Sequence, residues 1–165
     1  DKDLNTFLVQ AMDDIDHTIT NVRRITTDLR HPLLDDLGLE AAIRSQAREY
    51  VRRFDLDLTL KINLQDLQIC DEKKITLFRI FQEALTNVAK HAQASAVELL
   101  LMHVGREIEL IISDNGKGFN TQVESNPEMT GIIGVRNRVE SLRGKFSLTS
   151  KPGQGTKLRV LLPIS

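Results

Sequence analysis

The stretch Asp114-Asn115-Gly116-Lys117-Gly118-Phe119 follows an apolar run, residues 108–112, whose composition favours a buried β-strand. The acid therefore stands where a strand ends and a loop begins, and its carboxylate can accept hydrogen bonds from the amino group of a ligand. Gly116 and Gly118 carry no Cβ, so their backbone can let a flat or phosphorylated ligand come close. The alternative is a hairpin turn, because Asn-Gly between apolar runs is a strong hairpin signal.

The composition is that of a soluble globular protein with a hydrophobic core: 165 residues, 41% hydrophobic and 27% charged. The net charge of −1 gives no general electrostatic reason to bind nucleic acid. The single cysteine, Cys70, excludes an internal disulfide and fits a reducing compartment. No apolar run is long enough to span a bilayer. We therefore expect a cytoplasmic protein, or the cytoplasmic part of a membrane-attached parent.

A seven-residue apolar repeat runs through residues 4–29, which predicts an N-terminal coiled-coil helix. One series of the repeat consists of Leu8, Ile15, Val22 and Leu29. We expect this seam to form a homodimer; the alternative is a helix that packs on its own domain. Pro32 is expected to stop the helix, because proline cannot continue the hydrogen-bond ladder. A short connector is expected up to Gly38.

Periodicity predicts the remaining elements in the order helix, strand, helix, two strands, helix, two strands. The predicted helices span residues 39–54, 71–91 and 132–142, and the predicted strands span residues 56–64, 96–104, 107–113, 146–150 and 157–162. Asp71 is expected to cap the second of these helices, and Gly144 to close the third. Tight turns join most neighbouring strands, so the fold class is α+β, with a mixed, mostly antiparallel sheet covered on one face by helices. The polar stretch 115–130 is expected to be a lid or binding loop.

The long helix carries a polar face that could take part in chemistry. Glu83 and Asn87 are four residues apart and share that face, with Lys90 and His91 about one turn further on. An Asn amide oxygen is a plausible Mg²⁺ ligand, and Glu83 could act as a base. Lys90 and His91 could pair with phosphate oxygens. The alternative is an ordinary solvated helix face.

Two glycine pairs follow. Gly131 and Gly134 lie where the polar loop meets a helix start, and free backbone N–H groups there favour anions such as phosphate. Gly153-x-Gly155-Thr156 could equally be a hairpin turn. A polar helix face, an acidic glycine loop and two glycine pairs follow one another in one small domain. This order would be a coincidence if each were only a surface feature.

These motifs resemble those of sensor histidine kinases. Residues 83–92, EALTNVAKHA, are similar to the N box, residues 114–119 to the G1 box, residues 130–138 to the G2 box and residues 153–156 to the last glycine box. Together they resemble the GHKL (Bergerat) ATP-binding domain shared with DNA gyrase B, HSP90 and MutL. The Lys-His-Ala ending of the N box and residues 30–39, RHPLLDDLGL, are similar to the nitrate-sensor and desaturase-thermosensor branch.

The resemblance implies three parts: residues 1–31 as the last helix of a dimerisation domain, residues 32–38 as a linker, and residues 39–165 as the ATP-binding domain. It implies a two-layer α/β sandwich, with about five strands under three helices. The implied cofactors are ATP and Mg²⁺. The implied ATP-binding residues are Asn87, Lys90, His91, Asp114, Gly116, Lys117, Gly118, Thr130, Gly131, Gly134 and Thr156.

The resemblance also assigns roles. Asp114 would accept the adenine amino group, and Asn87 would hold Mg²⁺ between the phosphates. Glu83 would be the catalytic base or would orient the nucleophile. Thr156 would help to close the adenine end.

Two positions depart from the family pattern. Met129 stands where the branch usually has the first glycine of the G2 box, which puts phosphate affinity in question. His17 is followed by Thr18 and His31 by Pro32, whereas the phospho-accepting histidine of the family is followed by an acid. We therefore expect the acceptor to lie upstream of this fragment.

The implied function is transfer of the γ-phosphoryl group of Mg-ATP to a histidine on an upstream helix, with a response regulator as partner. The alternative is a regulatory dimerisation module with a weak or unused nucleotide site. A gyrase-type or chaperone-type ATPase is a third possibility; the chain lacks the transducer domain that such an enzyme would need.

Overall fold

A computed structural model describes residues 32–64, 67–121 and 129–164. The predicted coiled coil and its dimer seam, residues 4–29, lie outside the described residues. The chain divides into two compact units, residues 1–36 and 37–165. The second unit carries every predicted site residue.

Helix α1 spans Pro32–Phe54 and is interrupted at Gly38, whose φ of 79° and ψ of 175° are not helical. The connector expected up to Gly38 is thus helical from Pro32 to Leu37. A proline fits the first position of a helix, because the N–H that it lacks has no intrahelical partner there. The break occurs at a glycine because glycine adopts a positive φ without steric cost. The helix predicted over residues 39–54 is confirmed.

Five strands form one sheet in the order β1-β2-β3-β5-β4. Their bounds are Asp57–Asn63 (β1), Ala96–Val104 (β2), Glu107–Asp114 (β3), Lys145–Ser150 (β4) and Thr156–Pro163 (β5). β1 pairs with β2 in parallel, and all other pairs are antiparallel. The predicted mixed, mostly antiparallel sheet is confirmed. β5 lies between β3 and β4, so the hairpin of β4 and β5 places its turn beside the end of β3.

Two further helices complete the fold. Helix α2 spans Asp71–Asn87 and continues into one π-helical turn, Val88–Ala92, and helix α3 spans Met129–Ser141. Alternate residues of the three central strands are buried and form the core with the apolar stripes of the helices. The fully buried side chains include Ile43, Leu77, Phe78, Phe81, Leu85, Leu99, Leu101, Ile108, Leu110, Val135 and Leu162. The predicted α+β sandwich with three helices on one face of the sheet is confirmed.

Two helix ends differ from the prediction. Cys70, rather than Asp71, holds the N-cap position, and Asp71 is the first helical residue, 3.0 Å from the Nζ atom of Lys74. At the end of α3, Arg143 takes the positive φ of 57°, and the N–H of Gly144 donates to the carbonyl of Val139 at 2.9 Å. A glycine is still required at position 144, because a Cβ there would lie 2.6 Å from the carbonyl oxygen of Leu161. None of the helices in the described part of the chain is long and apolar enough to cross a membrane.

Candidate functional site

A pocket open to solvent lies between the end of α2, the beginning of α3 and the ends of β3 and β5. Asp114 and Asn87 both line it, from the sheet and from α2 respectively. The walls between them are apolar: Ala84, Val88, Ala92, Ile112, Phe119, Ile132, Leu148 and Leu158. A pocket with apolar walls and a few convergent polar groups is typical of a site for a flat organic ligand.

The carboxylate of Asp114 is fixed by backbone donors. Asp114 ends β3 directly opposite Thr156, the first residue of β5. The N–H of Gly116 donates to its Oδ1 atom at 2.8 Å, and the backbone N–H of Thr156 also donates to the carboxylate. Burial raises the pKa of Asp114 above its ordinary value, and these two hydrogen bonds oppose the rise. A carboxylate has about four lone-pair sites, so capacity to accept hydrogen bonds from a ligand remains.

The loop after Asp114 is not a hairpin turn, so the alternative raised by its Asn-Gly pair is wrong. The Oδ1 atom of Asn115 accepts from the N–H groups of Ser95 and Ala96, both at 3.0 Å. The N–H of Lys117 donates to the carbonyl of Ala92 at 2.7 Å. A Cβ built on Gly116 would overlap that carbonyl oxygen. Glycine at position 116 therefore lets the loop lie against the segment that follows α2.

The other side of the same loop is held by the turn between β4 and β5. The N–H of Gly153 donates to the carbonyl of Lys117 at 2.6 Å, and the N–H of Phe119 donates to the Oγ atom of Ser150 at 2.9 Å. Gly118 has a φ of 57°, and a Cβ there would overlap the carbonyl oxygen of Lys151. The loop is thus bonded on both sides, and these hydrogen bonds fix the base of the pocket.

The π-helical turn Val88–Ala92 changes which side chains reach the pocket. Asn87, Val88, His91 and Ala92 line it, whereas Lys90 is exposed and is not among the lining residues. A π-helical turn contains one residue more than an α-helical turn, so it rotates the residues that follow, and such turns are frequent at functional sites. The end of α2 therefore combines an amide, an imidazole and the Ala92 carbonyl that anchors the loop.

Glu83 lies one turn before Asn87, outside the pocket lining and half-buried. A Cβ built on Gly131 would overlap its Oε1 atom, so the first turn of α3 lies directly on this carboxylate. Because α3 already begins at Met129, Gly134 falls beyond the first four N–H groups of the helix. The expectation that Gly134 offers a free backbone N–H is therefore wrong, whereas Thr130 and Gly131 belong to the first turn.

Six of the predicted site residues share one pocket: Asn87, His91, Asp114, Lys117, Gly118 and Thr156. Gly116 supports the loop, and Glu83, Lys90, Gly131 and Gly134 do not line the pocket. The apolar walls and Ser150 were not predicted from the sequence. Apolar wall residues have the same periodicity as core residues, and a buried serine at a strand end has no distinguishing pattern. Neither could therefore be identified from the sequence.

Comparisons with known proteins agree with this geometry. The family model described as "Histidine kinase-, DNA gyrase B-, and HSP90-like ATPase" matches residues 72–165. The signal transduction histidine-protein kinase/phosphatase DegS of Brevibacillus brevis is 34% identical over 152 residues. That alignment covers 90% of this chain and 38% of the relative, so the chain spans well under half the length of that protein.

Two solved structures have a similar fold. The histidine kinase domain of the blue-light activated histidine kinase from Erythrobacter litoralis EL346 superposes with a TM-score of 0.60 at 20% identity, covering 76% of this chain and 61% of that one. The histidine kinase AdeS of Acinetobacter baumannii gives a TM-score of 0.65 at 13% identity, covering 100% of this chain and 86% of that one.

Proposed function

The chain belongs to the histidine kinase-, DNA gyrase B- and HSP90-like ATPase family, and from this membership we infer that it is the ATP-binding catalytic part of a two-component sensor histidine kinase. The similarity to DegS over 90% of the chain supports the nitrate-sensor and desaturase-thermosensor branch. The observation that carries the inference is that Asp114, from the sheet, and Asn87, from α2, line one pocket with apolar walls. A carboxylate and an amide in one apolar pocket suit a ligand that carries an amino-bearing base and phosphates.

At the base end, the Asp114 carboxylate accepts from the adenine amino group, and Gly116 and Gly118 keep the loop close to the ring. The apolar walls contributed by Ile112, Leu158 and their neighbours remove the faces of the ring from water. Thr156 closes this end beside Asp114.

At the phosphate end we place Asn87, His91 and Lys117, which line the pocket, together with Lys90 of the π-helical turn and Thr130 and Gly131 of the first turn of α3. Charged and imidazole side chains pair with phosphate oxygens. The described part of the chain contains no cluster of three or more His, Cys, Asp or Glu residues that could hold a metal. For Mg²⁺ we propose the amide oxygen of Asn87 as the protein ligand, because Mg²⁺ usually takes few protein ligands and completes its shell with phosphates and water. When bound, Mg²⁺ would neutralise charge on the transferred phosphoryl group.

Glu83 is the candidate base or orienting residue, through its position beside Asn87 on α2 and under Gly131 of α3. We place the acceptor histidine on an upstream helix of the parent protein, with residues 4–29 as a dimer seam and a response regulator as the receiver of the phosphoryl group. The parent could be membrane-attached, with this part in the cytoplasm.

Calorimetry tests the nucleotide site. A non-hydrolysable ATP analogue with Mg²⁺ should bind the wild-type chain, and Asp114→Ala should weaken binding by about tenfold to a hundredfold, the usual cost of losing a hydrogen bond to a charged group. Asp71→Asn, an exposed acid at the start of α2, is the matched control and should bind normally.

Asn87→Ala should reduce the gain in affinity that Mg²⁺ gives, whereas Asn137→Ala should not.

The absence of binding by the wild-type chain at millimolar nucleotide would contradict the proposal and favour the regulatory dimerisation module. A labelled-phosphate experiment addresses the acceptor. Stable labelling of His17 or His31 on the isolated chain would contradict an acceptor that lies upstream.

A further inference from the structure

Ser150, the last residue of β4, is one of the few buried polar side chains in the described part of the chain, with 7% of its surface exposed. It pairs with Thr156 across the two final strands. Its Oγ atom contacts three groups: the N–H of Phe119 at 2.9 Å, the carbonyl oxygen of Gly155 at 2.9 Å and the Oγ1 atom of Thr156 at 3.1 Å. All three partners belong to the chain itself.

The protons of these contacts can be assigned by counting. A serine hydroxyl has one proton and two lone pairs. The Gly155 carbonyl can only accept, so the Ser150 proton goes to it, and the Phe119 N–H can only donate, so it occupies one lone pair. The remaining contact must then be a donation from the Thr156 hydroxyl to Ser150. Thr156 has no second proton to donate, so it can only accept a hydrogen bond from a ligand.

We propose that Ser150 is a positioning residue that determines which base the pocket accepts, by turning the Thr156 hydroxyl so that only its lone pairs are available to a ligand. This rests on the proposed nucleotide site. Thr156 and Asp114 line the same pocket and face each other across β3 and β5. Two neighbouring acceptors suit the amino group at C6 of adenine. They disfavour the carbonyl at C6 of hypoxanthine. A carbonyl oxygen can only accept, so it would find no hydrogen-bond donor where it faces Asp114 and Thr156.

Titration of the chain with ATP and with inosine triphosphate, both with Mg²⁺, tests this. The wild type should prefer ATP. In Ser150→Ala the Thr156 hydroxyl is free to rotate and donate into the pocket, so the preference for ATP over inosine triphosphate should fall by about tenfold, the size of one hydrogen bond to an unpaired group. Ser147→Ala, an exposed serine of the same strand, is the control and should keep the wild-type ratio.

A double-mutant cycle separates positioning from a general loss of structure. The Ser150→Ala change should leave the ratio unaltered in a Thr156→Val background, because the hydroxyl through which it acts is absent. If Ser150→Ala fails to fold, Ser150→Cys, whose thiol is a weaker hydrogen-bonding group, should narrow the ratio in the same direction.

The outcomes are distinguishable. A wild-type chain that binds neither nucleotide contradicts the proposed function itself. A wild type that prefers ATP, with Ser150→Ala showing the same ratio, contradicts only the positioning role, even if both affinities fall. The positioning role is also contradicted if Ser150→Ala changes the affinity ratio by the same factor with and without Thr156→Val.

Discussion

Gly131 lies on the carboxylate of Glu83, so closely that a Cβ at position 131 would overlap the Oε1 atom. The first turn of α3 and the C-terminal half of α2 thus meet at a contact between a glycine and the candidate base. The end of the Glu83 side chain can move aside. The contact therefore fixes the orientation of Glu83 but contributes little to the stability of the fold.

Gly131→Ala should therefore separate activity from stability. We expect the free energy of unfolding to change by less than about 1 kcal/mol, because an alanine gains helix propensity while Glu83 is displaced. Autophosphorylation of the parent protein should slow by about a hundredfold, the lower range for loss of a positioned base. Gly134→Ala is the matched control, since a Cβ there would meet only the Nη1 atom of Arg138 at 3.9 Å. Equal rates for the two variants would show that the contact has no role in catalysis.

The pKa of Asp114 predicts a pH dependence with a definite sign. Burial raises this pKa above the ordinary 3.8. Between 3.8 and the raised value the native state holds a proton that the unfolded state has lost, so the stability contributed by Asp114 falls as the pH rises through that interval. Urea unfolding of the wild type and Asp114→Asn should show the wild type losing stability relative to the variant as the pH rises. A constant difference across this interval would contradict the prediction.

Gly116→Ala should unfold the loop locally or destabilise the whole domain. The overlapping atom is the backbone carbonyl oxygen of Ala92, which cannot swing aside as a side chain can. We expect a loss of about 2 kcal/mol or more in the free energy of unfolding, the cost of overpacking and of the lost hydrogen bond at Lys117. Gly105→Ala is a useful comparison: its φ of 62° is strained for alanine, but nothing lies within 4 Å. Its cost should be smaller, about 1 kcal/mol. If Gly105→Ala lost more stability than Gly116→Ala in thermal or urea unfolding, the loop at Gly116 would be able to move away from Ala92, and the prediction would be wrong.

Asn115→Ala removes two hydrogen bonds from the backbone of Ser95 and Ala96 and a third to the Ser95 hydroxyl at 2.9 Å. The group is exposed, so water can replace part of what is lost, and we expect a decrease of about 1–2 kcal/mol in stability. Asn137→Ala, on the exposed face of α3, should change stability little or raise it slightly through helix propensity. Hydrogen exchange at the amides of residues 95 and 96 should also accelerate in Asn115→Ala. Unchanged exchange would contradict the anchoring role.

Much of the fold could be predicted from the chain, because most of its elements have clear periodicity. The strand predicted over residues 56–64 alternates apolar and polar residues along its whole length, and the α2 stripe recurs at helical spacing. The parallel pairing of β1 with β2 and the insertion of β5 between two earlier strands depend on contacts distant in sequence, which no local pattern encodes.

The candidate site was predictable where several motifs follow one another in a fixed order along the chain. Asp114 and Asn87 were identified by such motifs, and the structure brings them to one pocket. The start of α3 at Met129 was not predicted, because the Thr-Gly pair that follows is typical of a loop. The π-helical turn was not predicted either, since its residues continue the α-helical pattern.

The position of β5 has a consequence for how the protein matures on the ribosome. β3 and β4 emerge first, yet they are not neighbours, and only β5 joins them. A nascent chain that ends before Gly153 therefore leaves unpaired the two strand edges that β5 covers, one on β3 and one on β4, and lacks the residues of β5 that flank Asp114. In a series of stalled nascent chains of increasing length, we expect capture on an adenine-bearing resin to begin only at the length at which β5 has been inserted between β3 and β4.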